Sequence, residues 1–457
     1  MNFYNKEKFI YIYLLVFIIV NLIFLTNFPF IHSDEAWLSG LSRQIMNSKS
    51  LSTTEPFFDL KPRSPHAIKV FFHFIQIIFI KTFSYNIFVM RLISLIAGTL
   101  SLYIFYKIAE LITDSKILQK LSVIILSIDI HYIYTSHLAR QEIIITLIFL
   151  LATFYYLNNY NYHNNIKKDI KLAAILGLGM GIHPNIFIIS LPFILIYTFN
   201  LIFSNKIKLK NYLAFGSTLA IIASFFILLS LYLDPSFFSN YSSYGKSLGV
   251  FSSFITKLDR FDYFYQKVFN RISGTYFIPP IKPQLILFGA TFIFSLVKLL
   301  VKKDNKQLFL LLSVVAINLG YIIIGRYNQT SIIFIFPVFY LLILNLLTDI
   351  KIKYSYILAI ILITLLSFNT VQTVINNSHY NYKNYLKNIS AVVKPDNKVL
   401  ANLNTAYYFE NGKLHDYRNL SYLKDKNLTF AEYIEKNNIK YIIYPEEMDY
   451  IYNTRPV

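Results

Sequence analysis

Two adjacent carboxylates occur in Ile31-His32-Ser33-Asp34-Glu35-Ala36-Trp37, just after the first long apolar stretch of the chain, where membrane meets water. Partial desolvation at that depth is expected to raise a carboxylate's pKa and make it a better base. The plain alternative is a helix start: Ser33 or Asp34 caps a helix to Met46, and Trp37, the only tryptophan, sits among headgroups. A second acid lies in Ser136-His137-Leu138-Ala139-Arg140-Gln141-Glu142, where Arg140 and Glu142 read equally well as an interfacial pair. If the chain threads so that Asp34 and Glu142 share a face, two acids meet at one cleft, as glycosyl transfer or hydrolysis requires. Cations accompany them: Lys61 before Pro62, Arg63, Arg91, Arg140, His183, and Arg326 beside Tyr327. Each alone is a headgroup contact, but together they suit a bound phosphate or pyrophosphate. The sequence has no Gly-rich phosphate loop, zinc-binding His-Glu-x-x-His or nucleophile elbow, so nucleotide-driven transport and membrane proteolysis lack motif support.

The elements that must position these residues are apolar helices. Of 457 residues 55% are hydrophobic and 15% charged, with a mean hydropathy of +0.48, which is a membrane-protein composition. Segments 9–26, 87–110, 118–136, 143–157, 172–182, 185–203, 212–233, 284–301, 307–325, 332–348 and 354–375 are expected to span, about eleven in all. The first follows Lys6 and Lys8 as a signal peptide would, but lacks a small-residue cleavage site and reads as a retained anchor. The net charge of +19 belongs to loops facing the cytoplasm and anionic lipid rather than to nucleic acid. There are no cysteines, which excludes disulfides and thiolate metal sites.

Lysine clusters such as Lys167, Lys168 and Lys171, or Lys298, Lys302, Lys303 and Lys306, mark one side, while the opposite short connectors carry only Arg140 and Arg326. That bias predicts a cytoplasmic N-terminus and an extracytoplasmic C-terminus. Ala67 to Phe83, apolar but holding Lys69, His73, Gln76 and Lys81, is expected to lie on the outer leaflet with its polar side chains toward headgroups. Residues 1–375 then form a transmembrane catalytic domain with outer loops 27–86 and 234–283. Residues 376–457 form a small extracytoplasmic α/β domain, with strands at Lys398–Leu403 and Lys440–Tyr444 and a helix at Phe430–Asn438.

In order and topology, Asp34 and Glu35, Lys61 and Pro62, Arg91, Arg140 and Glu142, the glycines Gly177, Gly179 and Gly181 before His183, and Arg326 with Tyr327 resemble the GT-C membrane glycosyltransferases. The similarity is to the branch of protein O-mannosyltransferases and the aminoarabinose transferase of lipid A, over roughly residues 9–350. It implies an all-α polytopic, GT-C-like fold with the small C-terminal α/β domain, in the plasma membrane. The implied reaction is inverting transfer of a sugar from a polyprenyl-phosphate donor to a lipid, glycan or protein acceptor on the extracytoplasmic face. Asp34 would be the general base, Glu35 its support and Glu142 a second catalytic acid. Lys61, Arg140, His183, Arg326 and Tyr327 would hold the donor phosphate. Two positions depart from the branch: His183-Pro184 stands where a Lys is frequent, and Arg-x-Glu replaces Arg-x-Asp. Some relatives use a divalent metal near the acidic motif, and His32 makes one conceivable, but no metal or other cofactor is expected. A transporter or flippase of lipid-linked saccharides is the rival reading; against it, spans 87–110, 212–233 and 354–375 are nearly free of ionisable groups at mid-depth.

Overall fold

The computed structural model describes residues 7–159, 165–204, 206–272, 276–325, 327–378 and 381–444. All eleven predicted segments are helical. Among the described residues six helical stretches are long and apolar enough to cross a bilayer, including Ile87–Ile112, Leu209–Leu233 and Asn305–Ile324. Segment 118–136 is a bent pair, Lys116–Ser127 and Ile130–Ser136, turning by 64°. The cause of the bend is local. Asp129 leaves the helical path and caps the second half, accepting from the amides of His131 at 2.8 Å and Tyr132 at 3.2 Å. Its other oxygen accepts from Tyr340 Oη at 2.6 Å and Gln284 Nε2 at 3.2 Å, which fixes a carboxylate inside the bundle.

Segment 172–182 is also broken. The Ile166–Leu178 helix tightens into a single 3₁₀ turn, Gly179–Gly181, before the chain resumes at Ile186–Ile202. A Cβ at Gly181 would lie 2.4 Å from the Phe71 ring, so only glycine admits that approach. Outward faces are apolar, with Ile221, Phe225 and Leu228 exposed on one helix and Leu365 and Phe368 on another, as lipid requires. The chain is a polytopic membrane protein.

The Ala67 to Phe83 segment forms the Val70–Phe83 helix; Lys81 is exposed as expected, but His73 and Gln76 do not face headgroups. His73 and Gln76 are buried. Ser42 Oγ lies 2.8 Å from His73 Nδ1 and 2.6 Å from Gln76 Oε1, while Phe74 and Ile78 point outward. Pairing Ser42 with His73 Nδ1 and Gln76 Oε1 across two helices offsets part of the cost of desolvating them, which an apolar neighbour could not do, while Gln76 Nε2 has no partner among the described residues.

The second expected loop contains the helices Phe237–Ser247 and Phe254–Asn270. At the C-terminal end, β1 (Val399–Ala401), β2 (Leu414–Asp416) and β3 (Tyr441–Ile442) form a parallel sheet in the order β2-β1-β3. The helix Phe430–Asn437 lies between β2 and β3 in the chain. Side chains alternate across β1. Val399 and Ala401 join Leu403 and Leu414 in a core with Ala36, Phe57 and Phe58, whereas Leu400 packs with Tyr417, Tyr433 and Leu60. The first outer loop therefore wraps around this small sheet.

Candidate active site

The Ser33–Ser48 helix opens with a capping box whose cap is His32, not Ser33 or Asp34. His32 Nδ1 accepts from the Asp34 amide at 3.1 Å, and Glu35 Oε1 accepts from the His32 amide at 3.0 Å. With the cap supplied by its neighbour, the Asp34 carboxylate is free to leave the helix. It pairs with Arg140 Nη1 and accepts from the Tyr276 hydroxyl, whose ring stacks on His32 at 3.6 Å between centroids. Arg140 turns its other edge to Glu142, with Nη2 2.8 Å and Nε 3.2 Å from Oε1. Thr330 Oγ1 donates to the same Oε1 at 2.7 Å. One guanidinium thus bridges the two acids that the sequence analysis pairs. The Asp34 side chain remains 32% exposed, against 5% for Glu142, so Asp34 is the more accessible of the two acids.

Desolvation does act on Asp34, but it does not prevail. Burial pushes the carboxyl up, yet the charge of Arg140, aided by the Tyr276 hydroxyl and Arg418, holds it well below the usual carboxylate range. The raised pKa expected from position alone is therefore corrected. His32 is pushed down to about 4, by burial first, and stays neutral near pH 7.

Glu35 lies behind this layer. It takes two 2.8 Å hydrogen bonds from Arg91, both side chains being 0% exposed, and a third at 2.8 Å from the Ala139 amide. Arg91 also donates to the carbonyls of Leu25 at 2.9 Å and Pro29 at 2.8 Å. Every charge here is satisfied, as a buried pair must be.

Trp37, one helical turn beyond Asp34, is no headgroup anchor. Its ring meets Phe58 edge-on at 4.8 Å between centroids, and three cations stand over it. They are Lys61 at 4.3 Å, Arg418 at 4.9 Å and Arg63 at 5.1 Å. Arg63 is held by Glu55 in a two-bonded pair at 2.8 and 2.7 Å, and Arg418 by Asp416 at 2.7 and 3.1 Å. Lys61 is lowered to about 8, by burial first and then by Arg418 and Arg63.

The remaining expected residues lie elsewhere. His183 Nδ1 accepts from the Asn185 amide at 3.0 Å, and Asn185 reaches Ser331 Oγ at 3.3 Å, next to Thr330. Tyr327 donates to the Lys257 carbonyl at 2.8 Å and stacks on Phe264. Arg326 falls outside the described residues. Sequence reasoning missed Tyr276, Thr330, Glu55 and Arg418. Only Glu55 carried a signal, being an acid shortly before Lys61 and Arg63 in a loop otherwise rich in polar uncharged residues.

Among the described residues no three His, Asp or Glu side chains converge, and the space between Asp34 and Glu142 is filled by a guanidinium.

Known proteins match this arrangement at two levels. The model of the dolichyl-phosphate-mannose-protein mannosyltransferase family matches residues 65–230. ArnT from Cupriavidus metallidurans, solved bound to undecaprenyl phosphate, superposes with a TM-score of 0.64 at 11% identity, over 98% of this chain and 88% of that one. The Archaeoglobus fulgidus oligosaccharyltransferase complexed with Zn and sulfate gives 0.54 at 14% identity, over 94% of this chain and 67% of that one. The same organism's AglB, in complex with an inhibitory peptide and a dolichol-phosphate, gives 0.56 at 13% identity, over 97% and 70%. No curated protein matches the chain. This is a membrane protein with the fold of ArnT and the archaeal oligosaccharyltransferase, an all-α polytopic bundle with a small C-terminal sheet, as the sequence predicts.

Proposed function

We propose that the protein is an inverting glycosyltransferase, moving a sugar from a polyprenyl-phosphate donor to a lipid, glycan or protein acceptor on the extracytoplasmic face. The observation that carries this reading is the Asp34–Arg140–Glu142 chain beside the cations over Trp37. An exposed carboxylate stands next to fixed positive charge, at the end of an apolar helix bundle. The family match and the ligands of the similar structures support the donor class.

In the reaction, the acceptor oxygen attacks the anomeric carbon, the bond from that carbon to the phosphate oxygen breaks, and the acceptor proton passes to Asp34. A carboxylate held below its usual range is a weak base, but it is strong enough. As the new bond forms, the attacking hydroxyl becomes far more acidic, so the proton moves late. The phosphate enters as a singly charged diester and leaves as a monoester whose second pKa is near 6, so its charge grows toward the transition state. Lys61 and Arg140, with Arg326 assigned through the resemblance, meet that growing charge. Glu142 aims Arg140 and orients the acceptor, and Glu35 supports Asp34 from behind. His183 and Tyr327 belong to the donor side, the latter by fixing the chain next to Arg326. No metal is assigned a step.

The lysine bias of the connectors supports a cytoplasmic N-terminus and an extracytoplasmic C-terminus, which would have Asp34 face the extracytoplasmic side. Supplying the purified protein in lipid nanodiscs with polyprenyl-phosphate sugars and a panel of acceptors tests the reaction. Release of polyprenyl phosphate only when acceptor is present supports it. Saccharide movement across a membrane without release would favour a flippase instead. A reporter after Val457 should be extracytoplasmic and one near Lys168 cytoplasmic; the reverse would put Asp34 on the wrong face.

A further inference from the structure

The three cations over Trp37 come from two distant parts of the chain. Lys61 and Arg63 belong to the first outer loop, whereas Arg418 follows β2 of the C-terminal sheet. Their charges are not equally balanced. Glu55 neutralises Arg63 and Asp416 neutralises Arg418, but Lys61 forms no ion pair among the described residues. The group therefore holds one positive charge in excess, half-buried against an indole face.

The C-terminal segment also fixes where Lys61 stands. Asn419 Oδ1 accepts from the amides of Leu60 and Lys61, each at 3.2 Å, and its Nδ2 donates to the Phe57 carbonyl at 2.9 Å. That carbonyl accepts the Asp416 amide as well, at 3.1 Å, and Tyr433 donates to Asp59 at 2.8 Å. Asn419 and Asp416 are both fully buried. A loop pinned this densely by another segment, next to a cation of that same segment, forms one site and not two neighbours.

We infer that Arg418, carried by the C-terminal sheet, is a ligand of the lipid-linked phosphate together with Lys61, so that the donor site is complete only when this sheet is docked. The inference rests on the proposed transferase reading and names a binding residue that reading does not contain. Its chemistry is that of a phosphate ester on an apolar chain. The guanidinium, already oriented by Asp416, keeps donor edges beyond those the carboxylate takes, and a phosphate between it and the Lys61 ammonium relieves their repulsion. Lys61 is lowered by burial first and then by Arg418 and Arg63, and it also faces Asp416 and Glu55.

Because Trp37 is the only tryptophan, its emission reports this site directly. The full chain in phosphatidylcholine nanodiscs is titrated with undecaprenyl phosphate, reading Trp37 fluorescence, for wild type, Lys61→Ala, Arg418→Gln and Arg418→Lys. Arg418→Gln should weaken binding about ten- to a hundredfold, as loss of a charge-assisted contact does, and move the alkaline limb of binding upward. The upward shift follows because a neighbouring charge that lowers Lys61 is gone; it reports the proximity of the two cations, whereas the loss of affinity below about pH 7, where Lys61 stays charged, reports the phosphate contact. Arg418→Lys should recover most of the affinity near pH 7 and lose it more steeply above about pH 8, because the site then holds two titrating cations. Should Arg418→Gln fail to fold, that steeper slope decides.

Lys61→Ala weakened with Arg418→Gln at wild-type affinity near pH 7 would overturn the inference and leave the transferase reading intact. Wild-type affinity in all three variants would instead count against the transferase reading. An equal Trp37 response to added phosphatidylglycerol would make the site a general headgroup contact and overturn the inference too.

Discussion

Glu35 accepts a hydrogen bond of 2.8 Å from the backbone amide of Ala139, so the acid beside Asp34 grips the residue beside Arg140. Two consecutive residues of one segment thus hold two consecutive residues of another: Asp34 meets Arg140 and Glu35 meets Ala139. The outer pair is the more accessible of the two, Asp34 being 32% exposed. The inner pair, backed by Arg91, sets how far the outer one stands apart.

Breaking the inner pair is expected to be a stability defect before it is a kinetic one. Arg91→Leu leaves Glu35 charged and fully buried, which costs about 3–5 kcal/mol in comparable cases. Thermal unfolding in detergent should fall clearly for Arg91→Leu, and less for the double variant Arg91→Leu with Glu35→Gln, where no charge is stranded. Equal losses in both would mean that the pair's charges do not interact.

Asp34→Asn should do the opposite, leaving folding intact while abolishing turnover. The amide keeps the shape but cannot take the acceptor proton, so the rate should drop by roughly 10²–10⁴. Donor affinity should hold or tighten, because a negative charge next to the phosphate site is gone and Arg140 is released. Turnover within about threefold of wild type would reduce Asp34 to a structural partner of Arg140.

Arg140 and Glu142 should separate binding from chemistry. Arg140→Gln is expected to weaken polyprenyl-phosphate binding about ten- to a hundredfold and to slow transfer as well. Glu142→Gln should lower turnover or the acceptor's apparent affinity with donor binding near wild type. Loss of donor binding in Glu142→Gln alone would point to a cation shared between carboxylate and phosphate.

Donor binding should depend on pH through Lys61. Its amine is lowered to about 8, so it is charged below that pH and loses its charge as pH rises through it. Affinity for an anionic phosphate should therefore be full below about pH 7 and decline above about pH 8. Lys61→Arg should remove that limb, since a guanidinium does not titrate in this range. His32, lowered to about 4, should add no limb between pH 5 and 8. A decline that survives in Lys61→Arg would assign the titration to another group.

The membrane fold was open to reading from sequence because it depends on a property summed over many residues. Runs of about 20 apolar side chains have one low-energy arrangement in a bilayer, with every backbone group paired within its own helix. Asp34, Glu142, Lys61 and Arg140 were legible for a related reason, since charges at the ends of such runs are costly unless they have a use. Local sequence could not say which of two adjacent acids stays accessible and which is buried. Asp34 and Glu35 are chemically alike, and a helical turn sends them about 100° apart, so the partners on other segments, Arg140 and Arg91, made the choice. The same holds for pKa: depth alone predicts a raised Asp34, and an arginine 106 positions away reverses it. Tyr276, Thr330 and Arg418 left no local trace, because each reaches the site only when distant segments pack together. Sequence by itself determined the helices and the charges at their ends, through burial free energy that is additive and non-directional. Tertiary structure decided which charges meet, because hydrogen bonds and ion pairs are made at about 3 Å between residues that nothing in their order along the chain brings together.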